Sequence, residues 1–207
     1  MSESDRDLVI LVADADMENG LDGLLQRPAS LEIRPIQWKI FRHSGKDPGC
    51  LRTCHEFLRP FASQYARALV FFDHEGCGAE ENSREALEQQ AEERLARNGW
   101  GDRAAAVVFE PELESWFWAG SPHLEGILGW KDRPQPLRAW LEARQLWATG
   151  EAKPHRPKEA LEAALREVRI PRSSSIYRQA ATMVGLRGCT DPSFVRFRQI
   201  VKEWFGA

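Results

Sequence analysis

The chain has 207 residues, of which 43% are hydrophobic and 29% are charged, and its formal net charge at pH 7 is −3. This composition excludes a disordered chain and predicts one well-buried domain. No apolar run reaches the roughly 18 residues of a membrane span, and the start, MSESDRD, lacks the pattern of a secretory signal. A soluble, cytoplasmic protein that does not contact a membrane is therefore expected.

The charge is distributed unevenly along the chain. Residues 1–130 carry 13 Lys and Arg against 23 Asp and Glu, whereas residues 131–207 carry 15 against 8. A basic C-terminal third could bind a polyanion locally. Alternatively, the two halves attract each other, or the charges lie on solvated helices.

Strand and helix patterns alternate over the first 110 residues. Short apolar or alternating runs predict strands at 7–13, 31–41, 68–72 and 104–109. Helical spacing of apolar residues predicts a short helix ending near Gln26 and longer helices at 48–65 and 83–98. Pro111 is expected at the first position of another helix. The alternation predicts an α/β fold with a mainly parallel, Rossmann-like sheet of four or more strands, flanked by helices.

The pattern changes beyond residue 120, where four helices are predicted at 134–147, 157–168, 174–185 and 191–205. We expect an α/β domain at residues 1–125 and a helical extension at residues 126–207, packed on the same domain. The tryptophans of residues 116–147 are expected to seal the sheet against the helical part rather than to stack bases, namely Trp116, Trp118, Trp130, Trp140 and Trp147.

Acidic residues follow three of the predicted strands. Asp14, Asp16 and Glu18 follow the first, Asp73 and Glu75 follow the third, and Glu112 follows the fourth. Parallel strands bring their carboxyl ends to one edge, where ligands of such sheets bind. Converging carboxylates repel each other unless a cation neutralises them, so Mg²⁺ or Mn²⁺ is the expected cofactor. The alternative is that these acids are helix caps and first-turn residues.

Basic residues are placed where they could face a phosphate. Lys158 lies in the first turn of a predicted helix, which disfavours a cation unless an anion faces it. Arg172 and Arg178 flank a run of serines at a helix start, and Arg42 and Lys46 follow the second strand. The alternative is a plain helix cap with solvated bases.

The acidic pattern resembles the TOPRIM superfamily, whose Rossmann-like domain carries a Glu after its first strand and an Asp-x-Asp motif after its third. Asp73-x-Glu75 is similar to the second motif, with its later Asp lengthened to Glu. At the first motif the sequence departs from the family: Ala13 or Asp14 stands where the Glu would fall, with Asp16 and Glu18 nearby.

A narrower resemblance covers about residues 7–205. The strings PELESWFWA (111–119), RPKEALEAAL (156–165), SSSIYRQAA (173–181) and LRGCTDPSFVRF (186–197) resemble TOPRIM-like proteins of bacterial antiphage defence, closest to the TOPRIM-like component of the methylation-associated defence system. The resemblance implies metal-dependent cleavage of phosphodiester bonds, by a nuclease whose expected partners are nucleic acid, other defence subunits and a second copy of the chain.

In this interpretation each candidate residue has a role. Asp73, Glu75 and Glu112 would hold the metal, and the catalytic residues would be Asp14, Asp16, Glu18 and Lys158. The phosphate-binding residues would be Arg42, Lys46, Arg172 and Arg178. The altered first motif supports an alternative, a non-catalytic TOPRIM-like adaptor that binds a partner subunit or nucleic acid. Action on a free nucleotide is a further alternative, for which the sequence has no P-loop.

Overall fold

A computed structural model describes residues 6–118, 123–183 and 189–206. Four parallel strands form one sheet in the order β2-β1-β3-β4. The strands are β1 (Leu8–Val12), β2 (Trp38–Arg42), β3 (Arg67–Asp73) and β4 (Ala104–Phe109). The two central strands are the continuous apolar runs, as expected for strands covered on both faces. The α/β class and the parallel sheet are confirmed, and the arrangement is consistent with a Rossmann-like fold.

The described helices are α1 (Ala15–Leu25), α2 (Pro28–Leu31), α3 (Lys46–Leu58), α4 (Arg84–Leu95), α5 (His123–Ile127), α6 (Leu137–Glu142), α7 (Pro157–Val168), α8 (Ser174–Met183) and α9 (Pro192–Phe205). Helices α3 and α4 pack against each other and against β3 and β4, whereas α1 packs on α8 and contacts β1 and β2. None of the described helices is long and apolar enough to cross a membrane.

The strand order places a topological switch point between β1 and β3. The chain leaves β1 toward β2 on one side and later returns to β3 on the other side. In open parallel sheets, the crevice beyond the carboxyl ends of two such strands is where ligands bind. Asp14 follows β1 and Asp73 ends β3, so both lie at this crevice.

The prediction of a strand at 31–41 was wrong in its first half. Leu31 ends the short helix α2, and Ile33 forms a single antiparallel bridge to Gly206. Pro35 has no N–H to donate to a neighbouring strand, so regular pairing starts only at Trp38. The helix predicted at 48–65 ends at Leu58 and continues as a 3₁₀ turn that contains Pro60.

Three further helix predictions need correction. A 3₁₀ turn at Leu113–Trp116, rather than an α-helix beginning at Pro111, follows β4. The helix predicted at 134–147 is confined to α6, where Pro136 precedes the first helical residue and Gln145 adopts a positive φ. The helix predicted at 174–185 is described as far as Met183, and its remainder lies outside the described residues.

Trp116 joins the sheet to the C-terminal helix. Its ring lies 4.7 Å from Phe109 at the end of β4 and 5.0 Å from Phe194 on α9, between ring centroids. The indole Nε1–H donates to Ser193 Oγ at 2.7 Å, so its polar atom is satisfied while the ring is buried. For Trp116, the predicted sealing role of the tryptophans is confirmed.

A candidate active site at the carboxyl edge of the sheet

Asp73 is the buried centre of the site, with only 8% of its surface exposed. Its Oδ1 accepts a hydrogen bond from the Leu113 N–H at 3.0 Å, and its own N–H donates to Asp47 Oδ1 at 2.8 Å. Burial and the nearby carboxylates of Asp47 and Glu114 raise the pKa of Asp73 well above its usual range. In the described structure, the positive charge near the Asp73 carboxyl therefore does not offset the effects of burial and of the neighbouring carboxylates.

Two glutamates from the turn after β4 line the same crevice. Glu112 accepts a hydrogen bond from Lys158 Nζ at 3.1 Å, and burial raises its pKa. Glu114 is 2% exposed, and its Oε1 accepts a hydrogen bond from the Tyr177 hydroxyl at 2.5 Å. Burial also raises the pKa of Glu114, although the Tyr177 hydrogen bond opposes the effect.

Lys158 is the cation that faces these acids. It lies in the first turn of α7 and is half-buried. Burial disfavours its charge, but the carboxylates of Glu114 and Glu112 outweigh that cost and raise the pKa of Lys158. An anion was expected to face this lysine, and the anions are the Glu112 and Glu114 carboxylates of the chain itself.

Arg172 links the helical part of the chain to the first turn of α1, which follows β1. Its guanidinium contacts Asp16 at 2.5 Å and Glu162 at 3.1 Å, and its Nε–H donates to the Tyr177 hydroxyl at 3.2 Å. Arg178 pairs in the same way with Asp22. Two of the three arginines predicted to bind phosphate, Arg172 and Arg178, are thus paired with acids of this chain.

The three acids that follow β1 have separate partners. Asp14 caps α1, accepting hydrogen bonds from the N–H groups of Asp16 and Met17 at 2.9 Å. Asp16 pairs with Arg172, and Glu18 pairs with Arg42 at 3.2 Å. The structure therefore does not bring the three together as one catalytic group. Of these, Asp14 acts on a residue of the site, since its charge adds to the effect of burial in raising the pKa of Asp47.

Two predicted residues lie at the margin of the site. Glu75 is exposed, and its backbone N–H, rather than its side chain, contacts the turn after β4 by donating to Pro111 O at 3.2 Å. Lys46 is exposed and lines, with Arg42, Asp14 and Glu18, a cavity of about 580 Å³ beside β2.

The sequence interpretation did not assign Asp47, Glu162 or Tyr177 to the site. Asp47 lies in the first turn of α3, directly after β2, and so reaches the same carboxyl edge as Asp73. Its place after a strand was a usable signal. Glu162 and Tyr177 enter from helices α7 and α8, and no local pattern indicates which acids they approach.

The described residues contain no group of three or more His, Cys, Asp and Glu side chains placed to hold one metal ion. Fold and site define an α/β protein whose parallel sheet carries a buried, acid-rich crevice closed by Lys158 and Arg172. Comparisons with protein-family models, curated proteins and solved structures gave no match for this chain. The TOPRIM-like identity stays a prediction.

Proposed function

We propose that the chain is a Mg²⁺- or Mn²⁺-dependent phosphodiester hydrolase of a bacterial antiphage defence system, with the crevice around Asp73 as its active site. The observation that carries the proposal is the burial of Asp73 beside three other acids, Asp47, Glu112 and Glu114, with a raised pKa. Acids in such surroundings are frequent at functional sites.

The side chains around Asp73 are carboxylates, the ligands that a hard divalent cation prefers, but no three His, Cys, Asp or Glu side chains of the described residues are placed to hold one ion without rearrangement. Asp73, Glu112 and Glu75 would hold the ion once Lys158 released Glu112, since that lysine now supplies the positive charge. A bound ion would supply Lewis-acid stabilisation of charge on a phosphate.

Lys158 is the residue of the chain suited to assist hydrolysis. Its raised pKa keeps Nζ protonated near neutral pH, so it can stabilise a phosphate oxygen or donate a proton to a leaving oxygen. Asp14 caps a helix and is a poor candidate for the base, because its carboxylate already accepts two backbone hydrogen bonds.

Calorimetric titration with Mn²⁺ tests this proposal. Wild type should bind the ion more tightly at pH 8 than at pH 6, because the raised pKa of Asp73 makes protons compete with the ion more strongly as the pH falls. The double variant Asp73→Asn/Glu112→Gln should not bind. Glu110→Gln is the matched control, since Glu110 lies two residues away and 57% of its side chain is exposed. Absence of binding by wild type, together with intact DNA and RNA after incubation with Mg²⁺ or Mn²⁺, would contradict the proposal.

A non-catalytic adaptor is the second candidate, favoured by the pairing of Glu112 with Lys158 and by the capping role of Asp14. A phage-protection assay separates the two functions. Asp73→Asn should abolish protection by a hydrolase, whereas an adaptor should tolerate it if the variant is as abundant and as stable as wild type.

A further inference from the structure

The edge strand β2 borders an open surface on the side opposite β1. In the described part of the chain β2 pairs with β1 alone. Cavities of about 320, 580 and 240 Å³ open along it, and Lys39 lines all three. We call this the β2-edge surface and define it by Arg6, Lys39, Phe41, Arg42, Lys46 and Phe61.

The cations of the β2-edge surface differ from those at the acidic crevice. Among the described residues, neither Lys39 nor Lys46 forms an ion pair. Arg42 contacts Glu18, but 58% of its side chain is exposed, and Arg6 lies over the ring of Tyr65. Positive charge is therefore available to an external anion here.

The acids that border the same cavities are already held within the chain. Asp14 accepts from the N-terminus of α1, Glu18 contacts Arg42, and Asp22 pairs with Arg178. These acids therefore leave the charges of Lys39 and Lys46 uncompensated.

Aromatic rings lie between these cations. Phe41 and Phe61 are stacked, with centroids 5.0 Å apart and 29° between ring planes, and Tyr65 follows 6.0 Å from Phe61. These rings and Trp38 line the cavity of about 320 Å³, together with Arg6 and Lys39. Phe41, Phe61 and Trp38 are each partly exposed. A groove that alternates cations and accessible rings matches the backbone phosphates and unpaired bases of a single strand.

We propose that the β2-edge surface binds single-stranded nucleic acid, with phosphates at Lys39, Arg42 and Lys46 and bases against Phe41 and Phe61. The proposal rests on the proposed function, for which it names the substrate class. The cavity of about 580 Å³ is also lined by Asp14, which follows β1. A nucleic acid strand bound along β2 would therefore extend toward the crevice of Asp73. A duplex is disfavoured, because its bases are stacked inside and cannot reach the rings.

An added β-strand, from a peptide or from a second copy of the chain, is the competing occupant of an edge strand. Lys39 and Arg42 on β2 and Pro35 before it are residues that discourage strand pairing. The charge of the surface therefore favours the nucleic acid.

Fluorescence anisotropy with labelled 20-nucleotide dT and U strands and a 20-base-pair duplex, all in EDTA, measures binding without cleavage. The single strands should bind more tightly than the duplex. Lys39→Ala and Lys46→Ala should each lower the slope of log affinity against log salt by about 0.7. Lys131→Ala, which removes an exposed charge far along the chain, should leave the slope unchanged. Phe61→Leu, which keeps the apolar bulk but removes the ring, should weaken binding about tenfold.

Each outcome decides the proposal. Preference for dT over U, or the reverse, assigns DNA or RNA and supports it. Equal binding of duplex and single strand, unchanged salt slopes in both lysine variants, or no binding at all would overturn it. A concentration-dependent dimer that Lys39→Ala strengthens, without nucleic acid binding, would assign the edge to strand pairing. If wild type binds single strands but neither binds Mn²⁺ nor cleaves nucleic acid, this inference stands and the proposed hydrolase fails. If the Lys39→Ala, Lys46→Ala and Phe61→Leu variants cleave nucleic acid as fast as wild type, the hydrolase stands and this inference fails.

Discussion

The Tyr177 hydroxyl holds the buried Glu114 carboxylate, and the substitution Tyr177→Phe isolates that contact. The hydroxyl donates to Glu114 at 2.5 Å and accepts from Arg172 at 3.2 Å, and the tyrosine is fully buried. A hydrogen bond to a charged group contributes about 1.5–3 kcal/mol. We expect the free energy of unfolding to fall by about 2 kcal/mol at pH 8, which in a chain of this length lowers Tm by roughly 4–8 °C.

The loss should depend on pH in a defined direction. Burial raises the pKa of Glu114 in the folded state, so the folded state binds more protons than the unfolded state and stability falls as pH rises. Removing the Tyr177 hydrogen bond raises that pKa further and extends the decline to higher pH. Urea unfolding should therefore show a larger difference between wild type and variant at pH 8 than at pH 5.

Glu114→Gln provides the second half of a double-mutant cycle. In that background Tyr177→Phe should cost only about 1 kcal/mol, the usual value for a neutral hydrogen bond, at either pH. The same cost at both pH values and in both backgrounds would refute the electrostatic reasoning and leave only packing.

Two further substitutions test the buried charges. Asp73→Asn should raise stability at pH 7.5, because it removes a repelled carboxylate while its amide oxygen still accepts from Leu113. The gain should shrink as the pH falls toward 4.5, because the pKa of Asp73 is raised in the folded state. A loss in urea unfolding at pH 7.5 would contradict this. Arg196→Ala should cost about 1.5–3 kcal/mol, the usual contribution of a hydrogen bond to a charged group, because it removes one of the two arginines that pair with the buried Glu88 and leaves Arg84. Arg198→Ala, whose partner is exposed, should cost less than about 1 kcal/mol. Thermal melting compares the two, and equal losses would argue against the buried pair.

The central sheet could be predicted because its information is local. The runs that form β1, β3 and β4 are continuous and apolar, and their length fits strands rather than helices. The failure at residues 31–37 has a non-local cause besides the missing N–H of Pro35: Arg34 N–H donates to Phe205 O at 2.9 Å, at the opposite end of the chain. Nothing in the local alternation of residues 31–41 indicates that partner.

The candidate site shows the same division. Convergence of Asp73 and Glu112 followed from parallel strands alone, because β3 and β4 are neighbours whose carboxyl ends coincide. Their neutralisation by Lys158, and the diversion of Asp16 to Arg172, depend on where α7 and α8 pack. Local sequence indicates which side chains are acidic or basic but not which of them become partners.

The charge asymmetry of the sequence is resolved by pairing across the fold. In the described structure, cations of residues 131–207 bind acids of residues 1–130: Lys158 binds Glu112, Arg172 binds Asp16, Arg178 binds Asp22, Arg196 binds Glu88, and Arg198 and Lys202 bind Glu32. Attraction between the halves is thus confirmed, and these cations already have acidic partners within the chain.

Lys39 and Lys46, which form no ion pair among the described residues, lie within the acidic half of the sequence, where the net charge conceals them. Salt should distinguish these two lysines from the pairs of buried acids, Lys158 with Glu112 and Arg196 with Glu88, because it screens exposed charges strongly and buried pairs weakly. Raising NaCl from 50 to 300 mM should release a single strand from the β2-edge surface while Tm stays nearly constant. A parallel fall of Tm and affinity would mean instead that the same pairs maintain both the fold and the binding surface.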